Sequence, residues 1–128
     1  MSYYTDRDFI WLIELEGTYP MSNGWQVVVR AEWADETPQQ PWGVEYAFIL
    51  QDGNGERLLG FDNTHGYDGA VPAAPYDHEH RPGQLARRFP YTAKGPWDLF
   101  NSFLDRCEAY CQARSVVFDP AFAELKPC

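Results

Sequence analysis

Val44-Glu45-Tyr46-Ala47-Phe48-Ile49-Leu50-Gln51-Asp52-Gly53-Asn54-Gly55-Glu56-Arg57-Leu58-Leu59-Gly60-Phe61-Asp62-Asn63 holds two apolar runs on either side of a turn signal. In the first run Val44, Tyr46, Phe48 and Leu50 alternate with Glu45, Ala47, Ile49 and Gln51, the period of two that sends successive side chains to opposite faces of a strand. Asp52-Gly53-Asn54-Gly55 supplies residues that tolerate positive φ, so the chain reverses there and residues 57–63 return as the partner strand. One such hairpin commits the chain to an antiparallel sheet.

Upstream, Trp25, Val27, Val29, Ala31 and Trp33 alternate with Gln26, Val28, Arg30 and Glu32, a second amphipathic strand. Phe9, Trp11, Ile13 and Leu15 alternate with Ile10, Leu12, Glu14 and Glu16, which predicts another strand, and residues 17–24, with Pro20, Ser22 and Asn23, predict the turn between them. Downstream, residues 64–84 are rich in Gly, Pro, Asp and His and predict a long loop of the kind that is often functional. A short fifth strand is expected over residues 87–91. Pro96 suits the first turn of a helix, and Phe100, Phe103, Cys107, Tyr110 and Cys111 form an apolar stripe that ends near Arg114. The expected fold is α+β: an antiparallel sheet of four or five hairpin-linked strands, with a C-terminal helix packed on one face and the other face open.

A chain of 128 residues, 45% hydrophobic, suffices for one core, so residues 1–118 are read as a single domain and 119–128 as a tail. No apolar run is long enough to span a membrane, and the N-terminal residues lack a secretory pattern, so a soluble cytoplasmic protein is expected. Three cysteines make no disulfide framework. Cys107 and Cys111 lie one helical turn apart and could give two zinc ligands, without a Cys/His pair nearby in sequence. The net charge of −9 speaks against general nucleic-acid affinity, but it is unevenly spread. Residues 1–77 carry three basic and thirteen acidic side chains, whereas residues 78–114 carry six basic and four acidic ones. The acidic half is a landing surface for a basic partner, or simply a solvated exterior. Five tryptophans in so short a chain fill the core or leave aromatic surface for a partner.

All three histidines fall within sixteen positions, His65, His78 and His80, close to Asp62, Asn63, Asp68, Arg81, Arg87, Arg88 and Tyr91. On an extended chain His78 and His80 project to one side with Cα atoms roughly 6.5–7 Å apart. Three readings are open. As an acid/base pair oriented by Asp62, His78 and His80 would cleave RNA without metal or other cofactor, with Arg81, Arg87 or Arg88 holding the phosphate. As ligands, the two histidines would hold a divalent metal, completed by His65, Asp62 or Asp68. As loop residues, Asp and His would only cap their own backbone.

The order Gly-Phe-Asp-Asn-x-His-Gly (60–66), His-x-His-Arg (78–81), Arg-Phe-Pro-Tyr (88–91) and a helix with Leu99, Phe103 and Leu104 resembles the TumE family of small prokaryotic proteins, toxins of toxin-antitoxin pairs. The likeness covers residues 44–108. Positions matching the shared motif are Asp62, Asn63, His78, His80 and Tyr91; the stretch Asp68 to Tyr76 is an insertion relative to it, and the first half is unusually acidic and tryptophan-rich. The resemblance implies a toxin neutralised by a cognate antitoxin, usually a DNA-binding protein. Asn63 and Tyr91 join the arginines as expected substrate-binding residues. The alternative is a non-catalytic module that binds a protein through its acidic and aromatic surface.

Overall fold

The structure, a computed structural model, describes residues 6–64, 77–92 and 94–121. Helix α1 (Asp6–Glu14) leads into six strands: β1 (Gly17–Pro20), β2 (Gln26–Trp33), β3 (Val44–Gln51), β4 (Arg57–Asp62), β5 (His78–Arg81) and β6 (Gln84–Pro90). Helix α2 (Pro96–Gln112) follows. The strands lie side by side in chain order and every neighbouring pair is antiparallel. The α+β architecture with an antiparallel sheet and a C-terminal helix is therefore as expected, with six strands rather than four or five.

The extra strands come from two misread segments. Residues 9–14 form part of α1, not a strand: Phe9 through Ile13 are all apolar, so the run fits a 3.6-residue period as well as alternation. Phe9 and Leu12, three apart, are the buried pair. The strand instead occupies Gly17–Pro20, inside the expected turn, and the reversal falls at residues 21–24. Likewise β5 and the start of β6 replace the end of the expected loop. Pro82 and Gly83, with Gly83 at φ 75°, place proline and a positive-φ glycine in the order a type II turn requires. His65 and the expected insertion, Asp68 to Tyr76, lie outside the described residues.

Register assigns each strand two faces. Val27, Leu50 and Leu59 form one row, and Val29, Phe48, Phe61, Glu79 and Phe89 the next. Against these rows α2 lays Leu99, Phe100, Phe103, Cys107 and Cys111, all buried. Phe48 meets Phe100 edge-on at 5.3 Å and Phe61 meets Phe103 edge-on at 6.3 Å. Helix α1 joins the same layer by stacking Trp11 on Trp97, with ring centroids 3.6 Å apart. Both described helices thus cover one face. Three tryptophans, Trp11, Trp25 and Trp42, pack on the core, while Trp33 and Trp97 stay about half exposed at 51% and 47%. Residues 119–121 are pinned to the sheet, since Asp119 accepts from the Ser22 amide and the Ala121 amide donates to Pro20.

The opposite face carries the alternate positions: Val28, Arg30, Ala47, Ile49, Gly60, Asp62, His78 and His80. Asp62 is paired with His78, and Gly60 with His80. Two strands side by side therefore bring the carboxylate and both imidazoles to one spot.

Candidate metal centre

The two imidazoles converge on one carboxylate. His78 Nε2 lies 2.9 Å from Asp62 Oδ1, His80 Nε2 lies 2.9 Å from Asp62 Oδ2, and the two Nε2 atoms are 3.2 Å apart. All three residues are buried, His78 completely. The Thr64 amide and hydroxyl both donate to Asp62 Oδ1, at 3.2 and 3.1 Å, fixing the carboxylate plane. Burial alone would raise the Asp62 pKa. With hydrogens on both Nε2 atoms, the hydrogen bonds from His78 and His80, the charge of His78 and the Thr64 amide outweigh it and hold the carboxyl well below the usual range.

The far side of His80 sets its proton. Nδ1 lies 2.8 Å from the Leu85 carbonyl oxygen, which can only accept, so Nδ1 carries the hydrogen. A neutral His80 then presents a bare lone pair on Nε2, which can accept from His78 Nε2–H but is repelled by the Asp62 carboxylate 2.9 Å away unless a proton or a cation sits between them.

The distances fit a cation. Ligand atoms about 2.0–2.2 Å from a zinc-like ion stand about 2.8–3.6 Å apart, from right-angle to tetrahedral geometry. The three observed separations, 2.9, 2.9 and 3.2 Å, lie at the octahedral end of that range. A ring donating its remote N–H to a backbone carbonyl is also the usual second contact of a metal-ligating histidine. Asp62, His78 and His80 form the one such cluster among the described residues. Cys107 and Cys111 instead sit in the apolar stripe of α2, where burial raises both thiols.

The other expected site residues are placed elsewhere. Asn63 is buried on the helix-covered side: its Oδ1 accepts from the Tyr46 amide at 2.9 Å and its Nδ2 donates to the Val44 carbonyl at 2.8 Å. Its side chain extends the β3–β4 ladder by one rung. Tyr91 donates to Ser102 on α2 at 2.8 Å and meets Phe61 edge-on. Arg81 and Arg87 lie over the Phe89 ring, which shares a row with Glu79 and not with the histidines. Arg88, between Arg87 and Phe89, alternates to the side of His78. Sequence reasoning missed Thr64, the Leu85 carbonyl and Asp77. Asp77 accepts from the Tyr46 hydroxyl at 2.5 Å behind His78. Burial raises the pKa of both groups, Tyr46 strongly.

No described helix is long and apolar enough to cross a membrane. Comparison with known proteins adds no relative: no protein family, curated protein or solved structure matches this chain.

Proposed function

We propose that this protein binds a divalent transition-type cation, zinc or iron(II), through Asp62, His78 and His80, and that this centre is its working part. One observation carries the reading: the Leu85 carbonyl accepts a hydrogen bond from His80 Nδ1–H, which in the neutral ring leaves the Nε2 lone pair aimed at a carboxylate. Two nitrogens and one carboxylate suit such ions better than magnesium or calcium, which take all-oxygen shells. When bound, the cation supplies Lewis acidity to an oxygen of substrate or water. The residues do the holding: Asp62 balances the charge, Thr64 fixes the carboxylate and Leu85 fixes the His80 tautomer.

The geometry favours this over direct acid/base catalysis by the two histidines. A phosphodiester has to fit between acid and base, and Nε2 atoms 3.2 Å apart leave no room for one. If the protein cleaves RNA, the metal reading routes the chemistry through the cation. The toxin role belongs to the resemblance, and one observation favours keeping it: three of the five matched positions, Asp62, His78 and His80, are the residues that come together. On that reading the protein acts in the cytoplasm and is silenced by a DNA-binding antitoxin.

Elemental analysis after chelator-free purification, with thermal melts before and after EDTA, tests the metal. Stoichiometric ion and a melting temperature restored by zinc or iron(II) are expected for the wild type and not for His80→Ala. No ion and no shift with any first-row divalent metal would sink the proposal. Growth on induced expression of the wild type beside His78→Ala/His80→Ala, at matched protein levels, tests the toxin role separately: equal growth would remove its support.

A further inference from the structure

The two edges of the sheet are unlike. At one, β1 is four residues long and ends in Pro20, whose carbonyl is already taken by the Ala121 amide. At the other, β6 runs for seven residues, mostly exposed, and no described element pairs with it beyond β5. A long unpaired edge is a template for another strand unless charge or cover blocks it.

This edge has a defined charge. From Arg81 to Trp97 the chain has four basic residues, Arg81, Arg87, Arg88 and Lys94, and no acidic one, in a protein of net charge −9. Two of these cations are pre-positioned. The guanidinium carbons of Arg81 and Arg87 lie 4.0 and 4.7 Å from the centroid of the Phe89 ring, so one aromatic side chain holds both. Arg81 reaches Glu79 only at 3.4 Å, and the other oxygen of that carboxylate is engaged by Arg106 at 2.9 Å. One carboxylate thus serves two guanidinium groups, and positive charge is left over on the Phe89 platform.

We propose that β6 is a docking edge for an extended acidic segment of a partner protein, which adds as a seventh strand. Its backbone would pair with the outer edge of β6, and a carboxylate on the Phe89 side would meet Arg87 and Arg81 in charge-assisted hydrogen bonds. A nucleic acid is disfavoured, because it has no strand backbone to pair with the edge of β6. This inference is independent of the metal centre, which it does not use.

The test uses the whole protein and a labelled extended peptide of alternating Glu-Glu and Thr-Val pairs, read by fluorescence anisotropy, with amide hydrogen exchange on the complex. Binding should weaken with salt, fall about tenfold for Arg87→Glu and about tenfold when the peptide's glutamates become glutamines, since charged hydrogen bonds are lost. Amides of β6 should exchange more slowly in the complex. Arg87 is exposed, and circular dichroism of the variant checks its fold; the glutamine peptide needs no variant at all. Undiminished binding of the glutamine peptide, unchanged exchange in β6, or displacement of the peptide by equimolar oligouridylate would each overturn the proposal.

Discussion

Strand β5 sends His78 and His80 to one side of the sheet and Glu79 to the other, and the two sides handle buried polar groups differently. Glu79 meets two arginines: Arg106 from α2 at 2.9 Å and Arg81 at 3.4 Å, each guanidinium about half exposed and partly hydrated. Its neighbours are the aromatic rows under α2, so its two ion pairs sit at the rim of an apolar layer. On the reverse side three titratable groups crowd together, with lone pairs and charge that balance around an added proton or a cation. The first arrangement is complete as it stands. The second gains from a proton or metal, which is why chemistry is assigned there.

The contrast can be broken most forcefully from the covered side. Phe103 is fully buried and touches Phe48 and Phe61, so Phe103→Ala should cost about 3–5 kcal/mol in urea denaturation. Metal affinity of the molecules still folded should not change. A loss under about 1 kcal/mol would mean that α2 is not the layer that holds the sheet.

A smaller loss with a different signature is expected at Gly60. A Cβ there would stand 2.6 Å from the Phe48 carbonyl oxygen of β3, a backbone atom that cannot swing aside. Gly60→Ala should therefore cost about 1–3 kcal/mol as the strands separate. Because Gly60 is paired with His80, metal affinity should fall too. Stability lost with full metal affinity would uncouple the β4–β5 register from the centre.

The two sides should also answer opposite ends of the pH scale, in EDTA. Asp62 has its pKa depressed on folding, so its contribution is present above the ordinary value of 3.8 and fades as pH falls below it. On the helix side, burial raises Cys107, with Cys111 adding to the effect, and burial and Asp77 raise Tyr46. Their contribution is intact below the ordinary values of 9.0 and 10.0 and is lost as pH climbs past them. Denaturant midpoints against pH should show Asp62→Asn flattening the acid limb alone and Cys107→Ala the alkaline limb alone. Any crossover between the limbs would mean that the two sides do not titrate independently.

Which parts of this arrangement could be read from sequence follows from what each signal encodes. Strands β2, β3 and β4 were legible because alternation is a local property and Asp52-Gly53-Asn54-Gly55 fixes their hairpin. Residues 9–15 were not, because five consecutive apolar residues satisfy both periods and only packing on α2 selects the helix. The pairing of Asp62 with His78 needs the β4–β5 register, which lies across a connection whose length the sequence does not translate into distance. Arg81 and Arg87 are grouped with the histidines by nearness in sequence, and Asn63 and Tyr91 by their match to the shared motif. Strand parity and helix contacts place them on the other side.

The finest test of that parity is Glu79→Gln. The amide keeps the volume and one acceptor oxygen, but it turns an NH2 toward a guanidinium and removes the charge that Arg106 and Arg81 share. Arg106 is 47% exposed, so water takes over much of its solvation, and screening limits the loss to about 0.5–1.5 kcal/mol. Glu79 stands between two metal ligands in sequence yet faces away from them, so metal affinity should stay within about threefold of wild type, as for sites that share no partner. An affinity loss as deep as that of His78→Ala would mean that the Arg106 ion pair holds β5 in its ligand-presenting register, and that both sides of the strand serve the centre.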